Sequence, residues 1–145
     1  MSTRRTADDT GYLARMLQGE IARPAVLDLL GSRIESIDLE AGRLVAHYEA
    51  GTSFRNPAGG VQGGMLSAML DDLCASLVDA TLSAGQGVAT LNLNVSFLRP
   101  ARPGPLTGDA QLMRRGRDIC HVNGRLLQEG NEVASAVAVC KIVQV

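Results

Sequence analysis

The chain has no tryptophan, and its two phenylalanines and two tyrosines make aromatics 3% of 145 residues. That leaves little for base-stacking platforms or a ring-lined sugar cleft. Lysine is nearly missing: Lys141 is the single lysine among the 14 Lys and Arg residues. Basic charge is therefore carried by arginine, whose planar forks suit phosphate and carboxylate. No strong charge of either sign is present. The net charge of -1 argues against a general nucleic-acid binder. No apolar run approaches the roughly 18 residues a membrane-spanning helix needs. The stretch MSTRRTADDT has charge with no apolar segment behind it, so no secretory signal is predicted. Cys74, Cys120 and Cys140 are widely spaced, with no C-x-x-C pair and no Cys/His cluster. A zinc site is not expected from that pattern, and the thiols read as reduced ones in a cytoplasmic protein. No metal or redox cofactor is implied.

What is present is an ordinary globular composition, 46% hydrophobic and 20% charged, the size of one domain. Residues 1–10 are polar and expected to fray. Tyr12, Leu13, Met16, Leu17 and Ile21 follow helical spacing. Pro24 then opens a second short helix, Ala25 to Leu30, ended by Gly31. From Arg33 to Asp38 the residues alternate imperfectly. Glu40-Ala41-Gly42 is a turn, and Leu44, Ala46 and Tyr48 resume a period of two, which makes a hairpin. A polar loop with Asn56-Pro57 as its breaker covers 51–59.

Between Val61 and Ser83 lies the longest helical candidate. Met65, Leu66, Met69, Leu70, Leu73, Leu77 and Val78 recur at three- and four-residue spacing, with small residues filling much of the rest. A helix apolar over so much of its circumference is buried. Strands are predicted at Val88–Phe97, Leu106–Met113, Ile119–Leu127 and Val133–Val145. In the first of these Leu91, Leu93, Val95 and Phe97 alternate against Asn92, Asn94 and Ser96. Antiparallel strands around one apolar helix form an α+β layer architecture.

The chemistry is expected where the loop enters the long helix, in Asn56-Pro-Ala-Gly-Gly-Val-Gln62-Gly63-Gly64-Met65 and onward to Asp71-Asp72. Glycines there let another backbone or a ligand approach closely. A helix start offers unpaired N–H groups and a positive dipole end, which suits an oxyanion. The alternative is a glycine turn needed only for close helix packing. Asp71 and Asp72 stand in an apolar helix, where a carboxylate is costly unless paired or functional. They point about 100° apart. Either one could instead face a solvent edge or bond a neighbouring loop. Gly63 and Asp71 are eight residues apart, about 12 Å along a helix, whereas reacting groups need about 3 Å. An oxyanion donor at Gly63 and a base at Asp71 serve one carbonyl only if two helices meet antiparallel across a two-fold axis.

Asn56, Gly59, Gln62-Gly63-Gly64 and Asp71, followed by a strand that ends Phe97-Leu98-Arg99-Pro100, resemble the hotdog-fold acyl-CoA thioesterases of the PaaI-like (4HBT) group. The likeness covers 32–145, leaving 1–31 as an N-terminal helical extension. It implies an antiparallel sheet wrapped around a long central helix, in a homodimer whose dimers pair into tetramers. It implies acyl-CoA as substrate, and the charge and hydropathy read above predict no nucleic-acid or membrane partner. By resemblance, Asp71 is the water-activating or nucleophilic carboxylate and Gly63 N–H polarises the thioester carbonyl. Asn56 positions water, Gln62 orients substrate and Thr90 supports Asp71. Asp71 and Thr90 come from one protomer, Asn56 and Gly63 from the other. Many members carry histidine where this chain has Gln62, and glutamine cannot shuttle a proton.

For the substrate's other parts, Arg99, Arg114 and Arg115 are candidates for the phosphates of CoA, and Gly64 and Met65 for contact near the reacting centre. The acyl chain is expected along Met65, Met69, Leu91 and Leu93, all of which would equally serve as core. His121 reads as structural. Two other functions fit parts of the pattern. One is a non-catalytic acyl-CoA binding or sensing protein. The other is a dehydratase acting on acyl carrier protein substrates, which typically needs the histidine this loop lacks.

Overall fold

The protein is described here by a computed structural model that covers the backbone of Ser2–Arg4 together with residues 10–145. A seven-stranded sheet wraps one long helix. The strands are β1 (Ser2–Arg4), β2 (Arg33–Asp38), β3 (Arg43–Ala50), β4 (Gln86–Phe97), β5 (Gly104–Arg115), β6 (Ile119–Gln128) and β7 (Asn131–Gln144). Their order across the sheet is β1-β2-β3-β5-β6-β7-β4. All neighbours are antiparallel except β1, which lies parallel to β2. β1 differs from the expected fraying of residues 1–10: backbone pairing with the β2 edge gives those three polar residues an extended place. Residues 5–9 lie outside the described ones.

The helices are α1 (Tyr12–Leu17), α2 (Ala25–Leu30) and α3 (Gly63–Asp79). α1 is shorter than the spacing to Ile21 suggested. Gly19 follows it with φ 78°, and the chain turns there. α3 is built from Leu, Met and Ala, strong helix formers. Leu66, Met69, Leu70, Leu73 and Leu77 are buried against the sheet, each contributing about 1.5–3 kcal/mol of apolar burial. The sheet makes room for the helix at its centre. A Cβ on Gly124 would stand 2.8 Å from Cys74 Sγ, and one on Gly108 would stand 3.0 Å from the Leu73 methyls. Leu13 and Leu30, from the N-terminal helices, join the same core cluster. Ala84 N–H donates to Thr10 Oγ1 at 3.0 Å, which holds the segment before α1 to the far end of α3.

Two β-bulges correct the simple alternation read from the sequence. In β2 the register slips between Ile34 and Ser36. This lets Ile34 and Ile37 both pack on the core although they stand an odd three positions apart. In β4 it slips between Thr90 and Asn92. Strict alternation from Phe97 back through Leu91 would turn Thr90 to the outer face. The extra residue, Leu91, reverses the phase, so Val88 and Thr90 face α3 along with Leu93 and Val95. Leu91 itself is 57% exposed. It therefore does not share a buried face with Leu93 as expected for the acyl channel.

Candidate active site

The helix-start half of the site is a braced loop. Asn56 Oδ1 accepts hydrogen bonds from the N–H groups of Ala58 and Gly60 at 3.0 and 3.1 Å, an Asx-type turn. Asn56 N–H donates to Gly60 O at 2.7 Å, Val61 N–H to Ala101 O at 2.8 Å and Gln62 N–H to Phe54 O at 2.8 Å. These bonds fix the angle at which the chain enters α3. Gln62 is its N-cap, yet the exposed side chain does not cap. Its amide is left available for a ligand. Gly63 is the first helical residue, and the N–H groups of Gly63 and Gly64 belong to the first turn, which has no intrahelical acceptors.

Phe97 covers this helix start. A Cβ on Gly63 would lie 3.0 Å from the tip of the Phe97 ring, so glycine is required for the ring to rest there. The ring is 55% exposed. Beside it runs a groove of about 660 Å³ lined by Asn56, Gly60, Gly63, Leu66, Phe97 and Arg99 among others. Phe97 is a site residue that the reading of the sequence used only as a strand end. Its position at the close of an alternating strand, before Leu98-Arg99-Pro100, was the available signal.

The mid-helix half of the site is Asp71. Thr90 Oγ1 donates to Asp71 Oδ1 at 2.7 Å, which joins α3 to β4. The bulge at Leu91 is what turns Thr90 to meet it. The next residue, Asp72, faces the other way. Its Oδ2 accepts from Tyr48 Oη on β3 at 2.7 Å and from Ser32 Oγ at 3.4 Å. Burial pushes the Asp72 carboxyl above its ordinary range, and the bonds from Tyr48 and Ser32 pull against that rise. The Tyr48 hydroxyl is driven well above its usual value by burial and by the neighbouring Asp72 charge. Burial also pushes the Cys74 thiol up to about 12 and raises Cys140. These sulfurs are packed thiols, not activated nucleophiles.

Asp71 and Gly63 of one chain stay apart, eight residues along one straight helix and about 12 Å. The expected residues thus form two half-sites, Asn56, Gln62 and Gly63 in one and Asp71 with Thr90 in the other. Gly64 and Met65 follow the first half-site, Gly64 exposed and Met65 partly covered. Met69, expected along the acyl chain, is fully buried core. The arginines do not converge. Arg99 lines the groove, although it also donates to Glu132 O at 2.7 Å. Arg114 and Arg115 stand at the opposite end of β5 from the Gly104 terminus that neighbours this loop. Among the described residues no three His, Cys, Asp or Glu side chains gather as a metal site, and no helix is long and apolar enough to cross a membrane.

The thioesterase superfamily model matches residues 58–135, which hold the helix start, Asp71, Thr90, the strands β4, β5 and β6 and the start of β7. The chain belongs to the thioesterase superfamily. Among solved structures, this thioesterase is 56% identical to a protein of Ralstonia eutropha JMP134 that is classed as a thioesterase and as related to phenylacetic acid degradation. The match has a TM-score of 0.88 and covers 90% of this chain and 98% of that one. The PaaI protein from the phenylacetic acid degradation operon of E. coli shares the fold, with 22% identity and a TM-score of 0.77 over 90% of each chain. A protein of Halobacterium salinarum classed among esterases is 32% identical over 117 residues, 79% of this chain and 77% of that one. The hotdog fold and membership in a thioester-hydrolysing family follow.

Proposed function

We propose that this thioesterase hydrolyses an acyl-CoA thioester to a carboxylic acid and free CoA, in a site completed across a homodimer. The observation that carries the reading is the Asp71–Thr90 bond. It fixes one oxygen of a mid-helix carboxylate and leaves the other free, against β4, the strand at the uncovered edge of the sheet. β4 has a neighbour on one side only, and Leu91 and Phe97 are exposed on it. Such an edge invites pairing with another chain. Antiparallel pairing of two β4 strands would carry the Gly63 end of one protomer toward the Asp71 half-site of the other. That arrangement meets the need imposed by the 12 Å gap.

In the proposed reaction the Asp71 carboxylate takes a proton from water while the water oxygen bonds to the thioester carbon. Negative charge gathers on the carbonyl oxygen, where the partner's Gly63 N–H donates to it. The tetrahedral intermediate collapses, the C–S bond breaks, and the sulfur leaves with the proton held by Asp71. The Asn56 carbonyl is occupied in the loop, so its NH2 is the end available to water or substrate. Gln62 contributes orientation only. Direct attack by the Asp71 oxygen on the carbonyl would give an anhydride that water then opens. Single turnover in 18O-water that leaves label in Asp71 would identify the anhydride route with water opening at the Asp71 carbonyl, because the general-base route leaves both Asp71 oxygens unexchanged.

The test is thiol release from a panel of acyl-CoAs. Aryl-acetyl thioesters come first, given the description of the Ralstonia relative, followed by short- and medium-chain ones. Mixing Asp71→Asn protomers with Asn56→Ala protomers examines the shared site. Each mixed dimer would regain one intact site, so a statistical mixture would recover about a quarter of wild-type activity. No recovery would place all the groups in one protomer. No turnover on any thioester, with saturable acyl-CoA binding, would favour a binding protein instead.

A further inference from the structure

Thr90 has a second neighbour that the proposed reaction leaves unused. Directly opposite it on β7 stands Cys140, opposite Cys140 on β6 stands Cys120, and Arg115 on β5 closes the row. Register partners put their side chains on one face of a sheet. Here that face is the inner one, because Cys140 and Cys120 are fully buried and Thr90 bonds to α3. The row stands at the edge of the bulge: after Thr90 the ladder skips Leu91 and resumes at Asn92. A bulge interrupts backbone pairing where it falls. Backbone pairing therefore fixes Thr90 less firmly on that side than a regular ladder would.

A threonine hydroxyl carries one proton and can also accept through its lone pairs. The proton goes to Asp71 Oδ1 at 2.7 Å. The oxygen remains as an acceptor, and the Cys140 thiol lies within hydrogen-bonding reach of it. Two other sulfurs and one carboxylate neighbour this thiol. Cys120 lies beside it on β6, and Cys74 and Asp71 lie near it on α3. Sulfur is a weak acceptor, and the Asp71 carboxylate acts on the thiol through its charge, not through a bond. The Thr90 oxygen is the best acceptor of this set. Burial raises the Cys140 thiol above its ordinary range, so it keeps its proton and has it to give.

We propose that Cys140 is a positioning residue for the hydrolysis: its S–H donates to Thr90 Oγ1 and keeps the Thr90 proton directed at Asp71. The proposal rests on the reading of Asp71 as the base. A hydroxyl hydrogen rotates to suit its surroundings. With a donor on its lone-pair side, that hydrogen has one strong direction left, toward the carboxylate. Bonds in such a chain polarise one another, so each strengthens the next. Asp71 is then held by two groups in series, of which Thr90 makes the contact. Cys140 meets neither water nor thioester and acts through Thr90 alone.

The experiment joins steady-state kinetics of the full chain to its infrared S–H stretch, a band that reports how strongly a thiol donates. Cys140→Ala removes the donor and Cys140→Ser keeps one. Cys140→Ala should lower kcat about 3- to 10-fold, the scale of one neutral hydrogen bond, with KM little changed. Cys140→Ser should hold kcat within about twofold of wild type. In a Thr90→Val background, Cys140→Ala should cost nothing further. Wild-type kcat in Cys140→Ala, an equal loss in both backgrounds, or an equal loss in Cys140→Ser overturns the proposal. The infrared band needs no turnover. Cys140→Ser identifies the Cys140 band by removing it. Thr90→Val should move that band to higher frequency, because the donor loses its acceptor. A band that stays in place overturns the proposal whether or not any thioester is hydrolysed. If the band moves but no acyl-CoA releases thiol, the hydrolytic reading fails and the positioning role falls with it, while the bond itself stands.

Discussion

Asp71 and Asp72 are successive residues on α3, and each accepts a 2.7 Å bond from a hydroxyl of the sheet. Their partners lie far apart in that sheet. Thr90 is on β4, the uncovered edge, and Tyr48 is on β3, with β5, β6 and β7 between them. The two carboxylates therefore tie the helix to opposite flanks of the sheet that wraps it. They differ in what surrounds the bond. Asp72 has a second hydroxyl from Ser32, whose carbonyl and that of Leu27 accept from Arg23, and burial raises its carboxyl. Asp71 has one hydroxyl and an oxygen left over, near an edge that a second chain can cover. One bond helps fix how the helix is rolled, and the other presents a base. The same residue type on the same helix can thus divide into a structural and a chemical role through a rotation of about 100°.

The largest expected effect tests that division directly. Asp71→Asn should lower kcat/KM about a thousandfold, the scale of a lost general base, with an unfolding midpoint close to wild type. Turnover that survives in this variant would transfer the chemical role elsewhere, with Asp72 the first place to look. Thr90→Val removes the bond but keeps the shape. It should cost about 10- to 100-fold in kcat, the scale of a hydrogen bond to a charged group. A wild-type rate would show that the Asp71 carboxylate needs no fixing.

On the other flank the effects should fall on stability. Tyr48→Phe deletes a hydroxyl bonded to a largely buried carboxylate. It should lower unfolding free energy by about 1.5–3 kcal/mol in denaturant titration, with kcat/KM changed much less than by Thr90→Val. A large loss of rate without loss of stability would erase the contrast between the flanks.

The smallest effect has a sign worth following. Because the folded Asp72 carboxyl lies above its ordinary value of 3.8, the folded state holds that proton more firmly than the unfolded chain. Ionising it costs stability. The cost is absent below the unfolded value, grows as pH rises toward the folded value, and is then constant. Asp72→Asn keeps an oxygen for Tyr48 and removes the charge. Relative to wild type, the variant should gain stability between pH 4 and pH 7. A relative loss over that range would mean that the carboxylate is favoured in its ionised form.

The repeating apolar positions of α3 and the turns between strands were legible because each is a local pattern. Asp71 and Thr90 were named through the family resemblance, and the structure brings them into contact. Their meeting depends on the bulge at Leu91, which no glycine or proline announces. Tyr48 and Asp72 are 24 positions apart, and nothing in the spacing of either joins them. Tyr48 read simply as the third member of an alternating strand. The cover of Phe97 over Gly63 was hidden for a related reason. A glycine's missing side chain tells that something approaches, and only the folded chain tells what. The pairing of β1 with β2 involves three polar residues whose partners are all backbone, so composition carried no trace of it.

The bulge in β4 also constrains how this strand can change over time. Leu91 works as a phase shifter: everything before it is read on even positions, everything after it on odd ones. Many side chains could occupy that exposed place without disturbing either half. Removing the residue altogether would restore simple alternation with Thr90 still facing the helix, because Thr90 would then stand directly before the outward-facing Asn92, and Leu93 and Val95 would keep their places. A one-residue deletion there would therefore keep the carboxylate's partner in phase and change only the local bend and twist of the strand. The strand can drift in sequence at position 91, because no ladder partner depends on that residue.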